Sequence, residues 1–323
     1  MRSRIAVVMV CVLASGACEK SRSTLGGDDV EQLRHLPGDN LALVGGNYMK
    51  LQNFMQSSIG KMVAQMGVDA SGSQSMTKWM ACWAKYPELR LVGAVGHHPG
   101  GIDVRLVFTG MTIENVTACA NEATFTAKAD PDGKYLSISI PATTITIDQG
   151  YLKLDNGALY MRQSMTLVPV PAIAPSTRAD LEADLAAAAK GPTAADDKAL
   201  LQLANKVDRA RTFWFAGTGA GTSKETTLGD IYGTVDVEGG ITVDLTAQIK
   251  DAALADKIEK GVGEIKKVAD KMPPELKSAI EDLKLDRDGD KLHFGAKITD
   301  DQLAALVKLG GMARFGGGGA GKL

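Results

Sequence analysis

The chain has 323 residues and nearly balanced charge, with 36 Lys and Arg against 38 Asp and Glu, a formal net charge of -2. This length holds one large domain or two ordinary ones, so the size of the core does not limit folding. A mildly acidic chain lacks the basic stripe that nucleic-acid binding requires, and nucleic acid is therefore not an expected partner.

Residues 1–17 have the layout of a secretory signal peptide. Arg2 and Arg4 give a cationic start, residues 5–13 (IAVVMVCVL) form an apolar run, and residues 14–17 are small. The run is well short of the roughly 20 residues that a bilayer span needs, so a transmembrane anchor is not expected. We therefore predict that the chain is exported.

The small residues that precede Cys18 resemble the lipobox of bacterial envelope lipoproteins. In that family the Cys is acylated and becomes the mature N-terminus, so the resemblance implies a lipid anchor at Cys18. Glu19 stands where Asp would imply retention in the inner membrane, and this implies the outer membrane. The alternative is a secreted or periplasmic soluble protein cut near Ala17, because Ser15 occupies the position at which the family normally has Leu.

Residues 18–35 are predicted to be a flexible tether, since residues 19–29 (EKSRSTLGGDD) are polar and have nothing to bury. A first α+β unit is predicted over residues 36–165. It begins with a strand at 41–44 and continues with a helix whose apolar positions have helical spacing: Leu51, Phe54, Met55, Ile59, Met62, Val63 and Met66. Such a stripe is typical of core packing, although its Met residues also suit an adaptable ligand surface.

The cysteines of the first unit are predicted to form a disulfide. Cys11 leaves with the signal peptide and Cys18 is assigned to the lipid by the resemblance, so Cys82 and Cys119 remain. In an oxidising envelope two remaining cysteines most economically pair with each other, closing a loop of about 38 residues. A reactive or metal-binding thiol pair is the alternative, but neither Cys lies in a Cys-x-x-Cys arrangement.

Strands dominate the rest of the first unit. They are predicted at residues 89–95, 102–108, 135–140, 143–147, 151–154 and 158–161. Residues 96–101 (GHHPGG) are predicted to be a turn, and Asp155-Asn156-Gly157 favours a hairpin because Asn-Gly suits a tight turn. A weak helix is expected from Thr112. The proline-punctuated residues that follow, with one helix from Ser176 or Thr177, form a connector over 166–192.

A second α+β unit is predicted over residues 193–309, and a disordered Gly-rich tail over 310–323. It has a helix from Thr193, strands at 212–216, 231–237 and 241–249, and a long helix capped by Asp251. Pro273-Pro274 breaks that helix, and a hairpin at Asp288-Gly289 leads to a strand at 292–298. The final helix opens with Thr299 and Gln302 at capping-box positions.

The two units show signs of an internal duplication. Gly100–Leu106 precedes a helix and then Asp130–Gly133, while Gly239–Leu245 precedes a helix and then Asp286–Gly289. The fold class expected is α+β, with two diverged units of antiparallel sheet covered by helices, either side by side or merged into one continuous sheet. This layout is similar to that of envelope lipoproteins of Gram-negative bacteria, a resemblance that brings no active site with it.

Candidate sites for chemistry are weak throughout. The adjacent His97 and His98 would point to opposite sides of an extended chain, so we interpret them as part of a surface turn. Asp286–Asp290 departs from a calcium loop because its Gly comes too early and no Glu closes it. Gly316–Lys322 lacks the Ser or Thr that a phosphate loop needs after Lys, and Gly217–Gly221 precedes a strand rather than a helix.

No catalytic residue, metal or cofactor is therefore predicted. The leading hypothesis is a lipid-anchored protein of the bacterial cell envelope, with a non-catalytic interaction or structural role toward another envelope protein. The alternative is an envelope binding protein for an apolar or amphiphilic small ligand, held between the sheet and the Met-bearing helix. A hydrolase is the least favoured reading.

Overall fold

The computed structural model describes residues 27–47, 49–50, 53, 70–83, 85–98, 101–141, 146–166, 172–174, 176–219 and 228–305. Several predictions lie outside these residues: the signal peptide, Cys18, most of the Met-bearing helix, and the Gly-rich tail. The strands are β1 Asn40–Asn47, β2 Arg90–His98, β3 Gly101–Thr109, β4 Thr126–Ala129, β5 Tyr135–Pro141, β6 Thr146–Lys153, β7 Leu159–Thr166, β8 Ala172–Ala174, β9 Phe213–Gly217, β10 Leu228–Asp236, β11 Ile241–Ile249, β12 Lys284–Asp288 and β13 Lys291–Ile298. The helices are α1 Gly27–Leu33, α2 Ala70–Trp83, α3 Ile113–Glu122, α4 Arg178–Lys190, α5 Lys198–Ala204, α6 Ala252–Val268 and α7 Pro274–Glu281.

All of these strands belong to one 13-stranded sheet with the order β12-β13-β11-β10-β9-β1-β2-β3-β7-β6-β5-β4, and β8 pairs with β7. The α+β class is confirmed, and of the two predicted arrangements the one continuous sheet is present, so the chain does not form two separate sheet units. The reason lies in β1, which is hydrogen-bonded on both sides. Its Val44 lies opposite Gly93 of β2 and opposite Phe215 of β9, so no free edge separates the halves.

Helices pack on both faces of this sheet. One face, which we call the α4 face, buries Leu43, Val107 and Trp214 against residues of α4 and α5 such as Leu181 and Leu200. The opposite face, which we call the α6 face, is covered by α2 and α3 on one half and by α6 and α7 on the other. Because successive strand residues point to opposite faces, neighbouring positions in one strand enter different hydrophobic clusters.

The α4 face is covered on only part of its width. Its hydrophobic cluster ends at Tyr232 of β10. Beyond that point the same face of β11 and β13 carries polar side chains that are half-buried or exposed: Thr242, Asp244, Thr246, Gln248, Lys291, His293 and Lys297. One half of the sheet is thus buried on both faces, whereas the other half is buried on the α6 face alone.

Local signals in the sequence explain the hairpins and helix starts. Gly133, Gly157 and Gly289 adopt positive φ angles of 67°, 84° and 61° in the predicted hairpin turns, a conformation that glycine reaches without steric cost. Thr177 begins α4 with a capping box to Asp180. The predicted caps Asp251 and Thr299 also accept hydrogen bonds from the first turns of their helices. These predictions are confirmed.

The predicted tether over residues 18–35 is wrong in its C-terminal part. Residues from 27 onward form α1, and Leu33 and Leu36 are completely buried in the core of the α4 face. The Asp29 carboxylate lies 3.7 Å from the guanidinium of Arg209. Val30, Leu33 and Leu36 are spaced by three residues, a short helical signal that the polar composition of the segment concealed.

Two further boundaries and one strand order differ from the predictions. Residues 146–147 and 151–153 of the predicted strands 143–147 and 151–154 belong to one strand, β6, which runs through Gly150. The predicted helix from Thr193 is split into a short 3-10 turn, Ala194–Asp196, and α5. The order of strand, helix and hairpin expected after β3 and β11 is present, but the hairpin β6–β7 lies between β5 and β3, whereas β13 pairs directly with β11. The two halves are therefore not equivalent in the sheet.

Candidate functional site

A cluster of charged side chains is buried under α4. Asp103 and Arg105 lie on β3, directly opposite Ser164 and Arg162 of β7. Asp184 comes from α4, on the face that also buries Leu181 and Ala188. The cluster thus joins the middle of the sheet to the helix that covers it.

The charged groups of this cluster form hydrogen bonds with one another. Arg105 donates from Nε to Asp184 and from Nη2 to Asp103, each at 3.1 Å. Arg162 donates from Nη2 to Asp103 at 3.2 Å and from Nη1 to Asp184 at 3.4 Å. The Tyr160 hydroxyl donates to Asp184 at 2.6 Å. Two guanidinium groups and two carboxylates therefore neutralise one another.

The environment shifts the pKa values in directions that favour the charged pairs. Burial opposes ionisation of Asp103, but the hydrogen bond from Ser164 and the charges of Arg162 and Arg105 outweigh it, so the pKa of Asp103 lies below its ordinary value. Burial raises the pKa of the Tyr160 hydroxyl, and the negative charge of Asp184 raises it further. The phenol therefore stays protonated and serves as a donor.

This cluster can hold a helix, but it offers no poised acid or base. Each carboxylate accepts hydrogen bonds from both guanidinium groups, so neither is available as a catalytic base toward an incoming molecule. The cluster was not predicted, because the alternation of Ile102, Val104, Leu106 and Phe108 indicates only one buried face of this strand. In fact Asp103 and Val107 are buried as well. The signal available was the charge at alternate positions of β3, Asp103 and Arg105, together with the single charge of β7, Arg162.

The predicted disulfide between Cys82 and Cys119 is confirmed. It links α2 to α3, and both half-cystines are buried in the cluster of the α6 face. Aromatic rings surround it: the Trp79 and Trp83 ring centroids are 5.1 Å apart, and Trp83 meets Phe108 edge-on at 5.6 Å. Since the two sulfurs are bonded to each other, the alternative of a reactive or metal-binding thiol pair does not describe this state.

An open groove of about 820 Å³ lies between α1 and the adjoining ends of β2 and β3. Its wall combines acidic side chains with apolar ones: Asp28, Asp29, Glu31, Gln32, Asn47, Met49, Pro87, Glu88, Leu89, Arg90, Leu91, Val92, Val107, Thr109 and Gly110. Burial raises the pKa of Asp29, against the opposing charges of Arg209 and Arg90. The volume falls in the range of small-molecule sites, roughly 300–1,000 Å³.

The histidine predictions have mixed outcomes. The predicted turn at residues 96–101 is wrong, because β2 continues through His98, and His97 and His98 lie opposite Ile102 and Gly101 of β3. His97 is exposed. His293 lies on the polar side of β13, with its Nδ1 atom 3.2 Å from the Thr246 hydroxyl.

The acidic segment Asp286–Asp290 ends β12 at Asp288 and turns into β13 at Gly289 and Asp290, as the hairpin interpretation predicted. The Asp290 carboxylate accepts a hydrogen bond from Gln248 at 2.5 Å. Within the described ranges, no three His, Cys, Asp or Glu side chains are grouped so that they could hold a metal ion. Nor does any helix placed by the structure have the length and apolar character needed to cross a bilayer.

Comparison with known proteins shows no family. No family model matches the chain, and no curated protein matches it. Two solved structures, crystal forms III and IV of TP0453, align with it at TM-scores of 0.44 and 0.42. They are 10% and 8% identical, over 86% and 85% of this chain and 98% and 96% of those chains. Similarity at this level carries no conclusion about function.

Proposed function

We propose that this chain is an exported, lipid-anchored protein of the bacterial cell envelope with a non-catalytic interaction role. The observation that supports this proposal best is the buried disulfide between Cys82 and Cys119. Disulfides form and persist in oxidising compartments, and they are rare where cytosolic thiols are kept reduced. The signal-like residues 1–17 and the lipobox-like approach to Cys18 agree with that location.

A non-catalytic role is supported by how the buried charges are used. The arginines and carboxylates beneath α4 are committed to one another, and the pKa of Tyr160 is raised so that its hydroxyl stays protonated. Catalytic acids and bases are usually tuned toward the working pH and reach a substrate in a cleft. The network under α4 instead fixes a helix to a sheet.

The anchor is tested by the chemistry of Cys18 in the native envelope. Membrane-extracted protein is digested, and the N-terminal peptide is weighed by mass spectrometry. We expect residues 1–17 to be absent and Cys18 to carry acyl chains. The matched variant Cys18→Ser should lose the acyl mass and leave the membrane fraction, while the Cys82–Cys119 disulfide stays intact. An uncleaved cytosolic chain with both later thiols reduced would overturn the proposal.

A second candidate function is favoured by the groove beside α1, whose wall places carboxylates next to apolar side chains. It would make the protein an envelope binding protein for an amphiphilic small ligand. The test is extraction of the purified protein and mass spectrometry of the extract. Leu91→Trp, at the groove wall, should reduce any co-purified molecule, whereas Leu228→Trp, on an exposed position of β10, should not. Equal recovery from both variants would place the molecule elsewhere.

A further inference from the structure

Helix α6 continues its apolar stripe past the part that the sheet covers. In its first half, Leu254, Ala255 and Ile258 pack with the cluster around Ile249 and Leu292. Further along, Ile265 is 47% exposed. Met272, just after the helix, is 37% exposed. Two other large apolar side chains, Met49 and Leu228, are exposed in the described part of the chain. Each is close in sequence to residues that lie outside the described part.

The charges of α6 leave a positive excess once its ion pairs are counted. Arg287 on β12 engages Asp256 at 2.6 Å and Glu259 at 2.9 Å. Glu264 is engaged by Lys267 at 2.8 Å. Three exposed lysines of the helix, Lys257, Lys260 and Lys266, have no ion pair within the residues that the structure describes. Because Arg287 carries one charge against two carboxylates, the five cations, which are the four lysines of α6 and Arg287, exceed the three carboxylates Asp256, Glu259 and Glu264 by two, and the charge left for an outside partner is cationic.

Two glycines separate the packed half of α6 from its exposed half. A Cβ atom added to Gly261 or Gly263 would meet nothing within 4 Å, so packing does not require either glycine. Glycine inside a helix costs stability relative to alanine because it loses more backbone freedom on folding. The exposed half can therefore open or reorient locally more easily than the packed half.

We propose that the exposed side of α6 from Lys257 to Lys266, together with Met272, contacts an anionic lipid surface. Lysines beside exposed apolar side chains on one helix are the combination that lies in a membrane interface, with the charges at the headgroups and the apolar groups below them. The sequence contains no polybasic run and predicts no second membrane contact. Only the ion pairs to Arg287 and Lys267 show which charges remain uncompensated. The proposal rests on the envelope location, but not on a lipid at Cys18.

The test uses the mature-length chain, residues 18–323, with Cys18→Ala, and measures its sedimentation with lipid vesicles. Vesicles of equal parts phosphatidylglycerol and phosphatidylcholine should bind it, pure phosphatidylcholine vesicles should not, and added salt should weaken binding. The triple variant K257Q/K260Q/K266Q should bind on the order of 100-fold more weakly, since each lysine near an anionic surface contributes about a factor of five. The matched variant K128Q/K153Q/K190Q, which changes net charge equally on the other half of the sheet, should bind normally.

The apolar contribution is tested separately with Ile265→Ser and Met272→Ser, against Leu228→Ser as the control for loss of an exposed apolar group. We expect weaker vesicle binding in the first two variants only, and urea unfolding verifies that each variant is folded. Equal loss in the two lysine triples would overturn the proposal. So would binding indifferent to lipid charge, or self-association abolished by Ile265→Ser without vesicle binding. None of these results bears on acylation of Cys18, which the mass of its peptide decides.

Discussion

The two halves of the sheet differ in how many of their faces are covered by helices. Strands β2, β3, β6 and β7 lie between helices on both faces, and their core holds a disulfide and four paired charges. Strands β11 to β13 are covered on the α6 face and leave polar side chains on the other. Asp103 and Asp244 illustrate the difference: the side chain of the first is 4% exposed, that of the second 36%.

A polar strand residue has different requirements in the two halves. A charge buried on both sides must find a partner, because water cannot solvate it. A charge on an open face needs none, and an ion pair there adds little to stability. The two-sided half should therefore be sensitive to single polar substitutions that the one-sided half tolerates.

The largest expected effect is that of Asp103→Asn, which should lower the free energy of unfolding by about 3–5 kcal/mol because it leaves two half-buried guanidinium groups sharing one carboxylate. Asp244→Asn, on the open face, should change it by less than about 0.5 kcal/mol. Urea unfolding followed by tryptophan fluorescence measures both. Equal losses in the two variants would contradict the greater sensitivity of the half that is covered on both faces.

Removal of the disulfide by Cys82→Ser and Cys119→Ser should cost on the order of 3–4 kcal/mol, because the reduced unfolded chain gains the entropy of a loop of about 38 residues. Wild type under reducing conditions is the natural comparison, and it should unfold at the same urea concentration as the double variant. Hydrogen exchange should show faster opening of α2 and α3, while β11 and β13 remain protected. Uniform loss of protection across the sheet would contradict independent stabilisation of the halves.

A smaller effect is expected on acidification. The pKa values of Asp103 and Asp236 lie below that of an unfolded Asp, roughly 3.9, so each stabilises the fold above that pH. This contribution should be lost as pH falls below about 4 through the folded pKa values. The raised pKa of Asp29 acts in the opposite direction. Urea unfolding across this range should show the decline, and Asp236→Asn should reduce its slope. A slope unchanged in the variant would exclude Asp236 as a contributor.

The smallest expected effect has the opposite sign. Gly261→Ala and Gly263→Ala should each raise the free energy of unfolding by about 0.5–1 kcal/mol, since alanine favours the helix and meets no neighbour. Gly233→Ala is the control, because its Cβ would lie 2.2 Å from the carbonyl oxygen of Asp244, and it should destabilise. Thermal unfolding distinguishes the two directions. Destabilisation by Gly261→Ala would mean that the glycine has a packing role.

The features whose chemistry is local could be predicted from the amino-acid sequence alone. The turns at Gly133, Gly157 and Gly289 need a residue that tolerates positive φ, and the caps at Thr177 and Asp251 bond to amides two or three residues away. The disulfide also followed from the sequence, because only two cysteines remained once the N-terminal ones were assigned. In each case the partners are few and near in sequence, or the candidates are few in number.

How these elements combine could not be predicted from the sequence and is seen only in the tertiary structure. Strand β1 joins residues of β2 and β9 that are far apart in the chain, and no local pattern encodes which strands become neighbours. The same holds for Asp103 and Asp184, whose shared partners lie on two strands and a helix. Alternation in a strand reports that one face is buried, but whether a helix returns to cover the other face depends on the path of the whole chain.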